Sequence, residues 1–255
     1  VRFNGSNNAG HTIYKDGKKI VTHSIPAGVL HGVKSIIGPG CVVNVDHFFD
    51  ELDDLEDCGI DLNGLVYISK NTHIITSSHL EEDGRDTKIG TTKRGNGPAY
   101  RDKYDRKGIR ASEVHELQPY LIDVYEEFHG KKGCSVLFEG AQGFYLDVDW
   151  GDYPYVTSSH CTVGSAVMNG VPPQKIRKIY GAAKIYETYV GTKKFEPDDP
   201  VFEKIRGLGN EYGATTGRPR QCNWLDIDNL VKAARINGVT DLVVSKMDIL
   251  RSIGM

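Results

Sequence analysis

The sequence predicts an α/β fold in which strands and helices alternate, and three observations carry that prediction. The stretch VDHFFDELDDLEDCG sets Phe48, Phe49, Leu52 and Leu55 at helical spacing above an acidic outer face. It lies between short apolar runs, Ile36-Ile37 and Val42-Val43 before it and LVYIS at 65–69 after it, an order that implies a right-handed strand-helix-strand crossover. Further along, SVLFEGAQG at 135–143 and DLVVSKMD at 241–248 are apolar strand-like runs that end on polar turns. Ligands of open α/β sheets sit at such strand ends.

Composition narrows the function classes. The 255 residues are 39% hydrophobic and 25% charged, so the chain can bury a substantial core. A formal net charge of −3 argues against a nucleic-acid binder, which rests on a strong basic excess. No apolar run approaches the ~18 residues of a membrane span, and no secretory pattern opens the chain, so a soluble, cytoplasmic protein is expected. Cys41, Cys58, Cys134, Cys161 and Cys222 are scattered and form no CxxC pair, which fits free thiols in a reducing compartment.

In chain order, VRF reads as part of a strand feeding NGSNNAGHT, a loop that can approach a ligand closely and present His11 as an acid or charge stabiliser; a plain surface turn is the other reading. Asp16-Gly17 between two strand-like arms signals a hairpin. The helix of VDHFFDELDDLEDCG follows, with Asp50, Asp53 and Asp54 as a solvated face and Gly59 at its end. KIGTTKRGNGPAYRDKYDRKG at 88–108 mixes glycines, Thr91, Thr92 and basic residues in a loop suited to phosphate, or else a mobile basic loop; it is not a Walker A motif. Val114 to His129 reads as one helix with Leu117, Leu121, Val124 and Phe128 on a face. Gln142, framed by glycines at a strand end, offers donors and an acceptor to a nucleotide edge.

Thr157, Ser158 and Ser159 form a hydroxyl cluster, whereas Asp147, Asp149 and Asp152 lack an established metal-ligand spacing. KIRKIYGAAKIYETYVG reads as one or two strands and VFEKIRGLG as a short helix. GNEYGATTGRPRQCNWLD at 209–226 then sets two threonines and two arginines in a glycine-flanked loop, a constellation that grips carboxylate or phosphate if it is more than a solvated basic turn. Trp224-Leu225-Asp226 starts a helix with Leu230, Val231 and Ala234 inward and Gly238 at its end. DLVVS reads as a buried strand leading to Lys246 and Asp248.

Six of these blocks, NNAGHT, IGTTKRGNGPAY, FEGAQG, YPYVTSS, GNEYGATTGRPR and SKMD, resemble in sequence and in order the adenylosuccinate synthetase family. The resemblance implies a single synthetase domain over 1–255 with a central, mostly parallel twisted sheet flanked by helices, related to P-loop GTPases. It implies a homodimeric ligase in which GTP (or ATP) phosphorylates the 6-oxygen of IMP and L-aspartate then displaces phosphate from C6, with Mg2+ required. His11 and Gln142 match catalytic positions, His11 at the transferring phosphoryl group and Gln142 at the 6-position. Asn8, Thr92, Arg106, Gln142, Thr157, Val190 and Arg218 match nucleotide-substrate contacts, Arg106 reaching the neighbouring subunit's site. Thr215, Thr216, Arg218 and Arg220 match the aspartate-binding loop, Lys246 and Asp248 the guanine-reading strand end, and the backbone of Gly10 a magnesium ligand.

Departures from the family pattern carry expectations too. The GDEGKGK-type phosphate loop and the segment that completes the guanine pocket have no counterpart here, and the region between GPAY and FEGAQG is short. VGTKKFEPD stands where the family has VGAGPFPTE, and RPRQCN replaces a more basic run. The alternatives are the phage-type enzyme that joins aspartate to dGMP and, of another class, a non-catalytic nucleotide-binding module.

Overall fold

A computed structural model describes residues 1–130, 133–214 and 216–255. The chain divides into two compact units, one of residues 1–87 and 91–172, the other of 88–90 and 173–255.

The first unit opens with the expected hairpin, β1 (His11–Lys15) antiparallel to β2 (Lys18–Thr22). Asp16 and Gly17 both have positive φ, 51° and 75°, the pair of left-handed residues that a two-residue turn between twisted strands requires. Next come β3 (Ser35–Ile37), β4 (Val42–Asn44) and α1 (Val45–Asp57), whose N-cap Asn44 accepts from His47 N at 2.9 Å. Helix α1 buries Phe48, Leu52 and Leu55 against Ile37, Val43 and Ile68, and exposes Asp50, Asp53 and Asp54 as its pattern predicts. The crossover is realised: β5 (Val66–Ser69) runs parallel to β3, and β6 (His73–Ile75) parallel to β4.

After α2 (Ser77–Gly84), the supposed loop at 88–108 contains a helix, α3 (Asn96–Tyr104). Its Gly95 N-cap is left-handed, with φ 76°, and a Cβ there would lie 2.7 Å from Ile75 Cγ2, so the glycine that reads as loop is what seats the helix on β6. The helix expected over 114–129 is corrected. Pro119 sits in a 3-10 turn, β7 (Leu121–Ile122) pairs parallel with β5, and α4 (Val124–His129) starts afterwards on an Asp123 cap. Pairing with an existing sheet edge, together with the missing N–H of Pro119, defeats the helical periodicity there. The strand expected at SVLFEG, 135–140, is corrected to a single bridge among the described residues, Arg2 to Glu139, while Arg2 also bridges Ile37, so residues 1–3 lie between β3 and the 137–139 segment. Helix α5 (Gly164–Met168) completes the unit.

In the second unit, β8 (Tyr180–Lys184) is followed by β9 (Tyr186–Tyr189), α6 (Val201–Gly209), β10 (Gln221–Trp224), α7 (Ile227–Asn237), β11 (Asp241–Ser245) and α8 (Met247–Ser252). Strand β11 runs parallel to β8, and β10 antiparallel to β9. Tyr186, Phe202, Ile205, Cys222 and Ile249 form its core. Three expectations are corrected here. Val231 is exposed while Leu230 and Ala234 are half-buried, and Trp224 ends β10 instead of opening α7, whose N-cap is Asp226. Strand β11 exists but is not buried, with Leu242 at 47% and Val243 at 55% exposure, because β8 is its one ladder partner among the described residues. No helix of the described residues is long and apolar enough to cross a membrane.

Candidate functional site

The first unit gathers its polar groups where residues 2–11 meet the 139–142 turn. Asn4 and Ala141 exchange two bonds, Asn4 Nδ2 to the Ala141 carbonyl at 3.0 Å and Ala141 N to Asn4 Oδ1 at 2.9 Å. That clasp aligns the two loops. Gln142 has a left-handed backbone, φ 64°, and its Nε2 donates to Asn8 Oδ1 at 3.1 Å. Asn8 and Gln142, distant in sequence, therefore share one edge.

His11 opens β1 and stays 28% exposed, enough to meet a ligand. Its Nδ1 lies 2.6 Å from Glu139 Oε1, and Arg2 Nη1 lies 2.9 Å from Nε2 and 3.2 Å from Nδ1. Arg2 also reaches Glu139 at 3.1 Å and donates to the His23 carbonyl at 2.9 Å. Burial pushes the Glu139 carboxyl up, but the His11 bond, the charges of Arg2 and His11 and the Ala27 N–H outweigh it and hold the group below the usual carboxylate range. An ionised carboxylate only accepts, so Nδ1 of His11 donates to it and the ring is held in one orientation.

Thr92 is half-buried on the segment leading into α3, beside Thr91, whose Oγ1 accepts from Lys93 N at 3.2 Å. Arg106 is exposed just after α3 with φ 61°. Thr157 is half-buried, with its N–H on the Leu146 carbonyl at 2.8 Å. The neighbouring Ser158 hydroxyl sits at the first turn of α3, 3.3 Å from where a Cβ on Gly97 would stand. Asp147 is wholly buried, and its carboxylate takes the N–H groups of Asp149, Trp150 and Cys161 at 2.9, 3.2 and 2.6 Å. It braces this loop. Among the described residues no three His, Cys, Asp or Glu side chains converge on a metal position; Gly10, half-buried just before β1, has a backbone carbonyl to offer.

In the second unit Val190 is half-buried immediately after β9. Thr216 is exposed and its Oγ1 accepts from Arg218 N at 3.4 Å; Thr215 lies outside the described residues. Arg218 Nη1 donates to the Gly90 carbonyl at 3.0 Å, while its buried Nε has no partner among the described residues. Arg220 Nη1 donates to Glu211 at 3.1 Å. Lys246, with φ 66°, caps α8 and donates to the Gly209 carbonyl at 2.7 Å, which brings the SKMD strand end to the base of the 209–220 loop; Asp248 is exposed in the first turn of α8. The departures noted after Val190 and Arg218 are joined by Gln221, which accepts from Phe195 N at 2.8 Å and donates to the Lys193 carbonyl at 2.8 Å. Sequence reading passed over Arg2, Glu139 and Glu211. The signal for the first two was a charge inside an apolar run, in VRF and in VLFEG, where burial demands an opposite partner.

The adenylosuccinate synthetase family model matches residues 1–127 and 112–254. Adenylosuccinate synthetase of Nitratidesulfovibrio vulgaris is 39% identical over 307 residues, covering 98% of this chain and 72% of that protein. The enzyme of that name from Xylella fastidiosa is 40% identical over 305 residues, covering 98% and 71%. These alignments are longer than the chain, and the two family matches overlap at 112–127, where the sequence is short between its GPAY and FEGAQG blocks. Among solved structures, fully ligated adenylosuccinate synthetase of Plasmodium falciparum aligns with a TM-score of 0.89 at 34% identity, covering 98% of this chain and 70% of that one. Succinoaminodeoxyadenylate synthetase of cyanophage S-2L, bound to dGMP and dATP, aligns with a TM-score of 0.78 at 23% identity over 97% of this chain and 78% of that one, a likeness of fold. The chain belongs to the adenylosuccinate synthetase family of C–N ligases.

Proposed function

We propose that the protein joins L-aspartate to C6 of IMP, a nucleoside triphosphate supplying the phosphoryl group that turns the 6-oxygen into a leaving group. The observation that carries this reading is the convergence of Asn8, His11 and Gln142, three residues expected around the 6-position, on one pair of clasped loops. A base edge presented there meets an amide that donates and accepts and an imidazole oriented by Glu139. As the 6-oxygen attacks the terminal phosphorus, its bond to the triphosphate's leaving oxygen breaks and His11 balances the charge that grows on the phosphoryl oxygens. The amine of aspartate then bonds to C6, the C6–O bond breaks, and inorganic phosphate departs with the oxygen.

Thr92 and Thr157 bind the nucleotide's 5′-phosphate, Val190 and Arg218 lie along its ribose, and Thr215, Thr216 and Arg218 take the carboxylates of aspartate, with Arg220 at the base of the same loop. Lys246 and Asp248 read the base of the triphosphate, GTP in preference to ATP, because a carboxylate accepts from the two N–H groups of a guanine edge. Family members use GTP with Mg2+, an ion that the backbone carbonyl of Gly10 would help hold and that would offset charge on the triphosphate. The protein acts as a homodimer, with the exposed Arg106 reaching the partner's nucleotide. Phosphate release in the presence of aspartate, magnesium, GTP and IMP tests the reading. Turnover with dGMP and not IMP replaces the substrate, and nucleotide binding without turnover on either base makes the protein a binding module.

A further inference from the structure

Glu211 is 2% exposed, and four groups converge on it. Oε2 accepts from Lys184 Nζ at 2.6 Å and from Arg220 Nη1 at 3.1 Å, and Oε1 accepts from Tyr186 Oη at 2.7 Å. Its carbonyl also accepts from Arg220 N at 2.9 Å. Lys184 ends β8 and Tyr186 opens β9, so one carboxylate ties the 209–220 loop to both strands. Burial pushes the Glu211 carboxyl up, yet the bonds from Lys184 and Tyr186 and the charges of Lys184 and Arg220 keep it below the ordinary carboxylate range.

Beyond this base the loop closes like a hairpin. Tyr212 and Pro219 form an antiparallel bridge, Gly213 N donates to the Arg218 carbonyl at 2.9 Å, and Gly217 N to the Gly213 carbonyl at 2.8 Å. Thr216 and Gly217 stand exposed at the tip. The two arginines are thereby unequal. Arg220 spends its charge on Glu211, whereas among the described residues the Arg218 side chain donates to a backbone carbonyl and keeps a buried Nε without a partner.

We propose that Glu211 is the positioning residue of the aspartate loop: it holds Arg220 and Lys184 on one buried carboxylate, fixes the base of 212–219, and leaves Arg218 as the fork that takes the substrate carboxylate. The inference rests on reading this loop as the aspartate site, so the test separates the two claims. Glu211→Gln keeps the size of the side chain but loses the charge that binds two cations, and Tyr186→Phe removes one bond only. The KM for L-aspartate should rise about tenfold in Glu211→Gln and a few-fold in Tyr186→Phe, with kcat within about threefold of wild type and the KM for nucleotide, which Arg218 meets only at the ribose, rising less than that for aspartate. Amide exchange over 212–220, followed by mass spectrometry without substrate, should speed up about tenfold in Glu211→Gln while the rest of the second unit exchanges as before. Unchanged exchange in both variants overturns the positioning role, as does a loss that falls equally on kcat and both KM values. Faster exchange with an unchanged aspartate KM leaves the positioning intact and removes aspartate as the loop's ligand. If Glu211→Gln fails to fold, Tyr186→Phe carries both measurements.

Discussion

His11, Arg2 and Glu139 form a closed triangle in which each side chain touches the other two. Arg2 is 1% exposed, a charge that burial forbids without a partner, and Glu139 supplies it. Arg2 Nη1 is nearly equidistant from the two ring nitrogens of His11, so it lies across the imidazole and not in line with either lone pair. The ring is thus oriented by Glu139 while its exposed edge is left for a ligand. On the proposed role, replacing His11 by Ala removes the charge balance at the transferring phosphoryl group without altering Asn8, Gln142 or Thr157 themselves. Phosphate release should fall by a factor of about 10² to 10⁴ while nucleotide affinity stays within a few-fold, since binding rests on many other groups. Full turnover in His11→Ala would sink the role given to it. Arg2 and His11 are in reach of each other because residues 1–3, bridged between β3 and Glu139, and the start of β1 flank a common loop.

At the scale of elements, α1 shows how local chemistry and packing agree. Asn44 is buried, its Oδ1 accepts from His47 N, and the apolar stripe of Phe48, Leu52 and Leu55 faces β3, β4 and β5. Asn44→Ala removes the cap and should cost about 1 kcal/mol, read as a lower urea midpoint with an unchanged slope. An identical midpoint would show that the cap bond adds nothing. Elements of this kind were legible: the Asp16-Gly17 hairpin, α1 between parallel strands, α6, and the end of α7 at Gly238, φ 61°, all carry their signals within a few residues. Legibility ended where a partner distant in sequence decides. Leu121 and Ile122 follow a helical pattern yet become strand because β5 offers an open edge, and Asn96–Tyr104 is helical although GNGP reads as a turn, because Gly95 must meet β6 without a side chain. The site divides in the same way. His11, Gln142 and Arg218 stand in recognisable blocks, but Glu139 and Glu211 act through pairings such as His11 with Glu139 and Lys184 with Glu211, which no local pattern encodes.

Across the molecule, buried carboxylates set how stability answers to pH. Asp147, Glu139 and Glu211 are each pushed up by burial but held below the usual carboxylate range by stronger hydrogen bonds and charges, so the stability they add is present above their unfolded values and is lost as pH falls through the folded ones. Glu51 runs the other way. It projects from α1 into the loop after β2, where it accepts from His23, Ser24 and Ile25 N–H at 2.5, 2.9 and 3.2 Å, and burial pushes its carboxyl from 4.5 up to about 7 against the pull of those bonds and of Arg2. A carboxyl whose folded value exceeds its unfolded one makes the folded chain bind the extra proton, so stability from this group falls as pH rises from 4.5 to about 7 and is level beyond. His23, His47 and His73 oppose it in the upper part of that window: burial lowers each below 6.5, and their contribution rises with pH. The comparison that isolates Glu51 is therefore wild type against Glu51→Gln, which cannot ionise but keeps an acceptor for the loop. Between pH 5 and pH 7.5 the wild type should lose about 2 to 3 kcal/mol relative to the variant in urea unfolding. Parallel profiles for the two proteins would mean that the three N–H bonds already keep Glu51 ionised throughout, and that α1 grips the loop before β3 with a permanent negative charge.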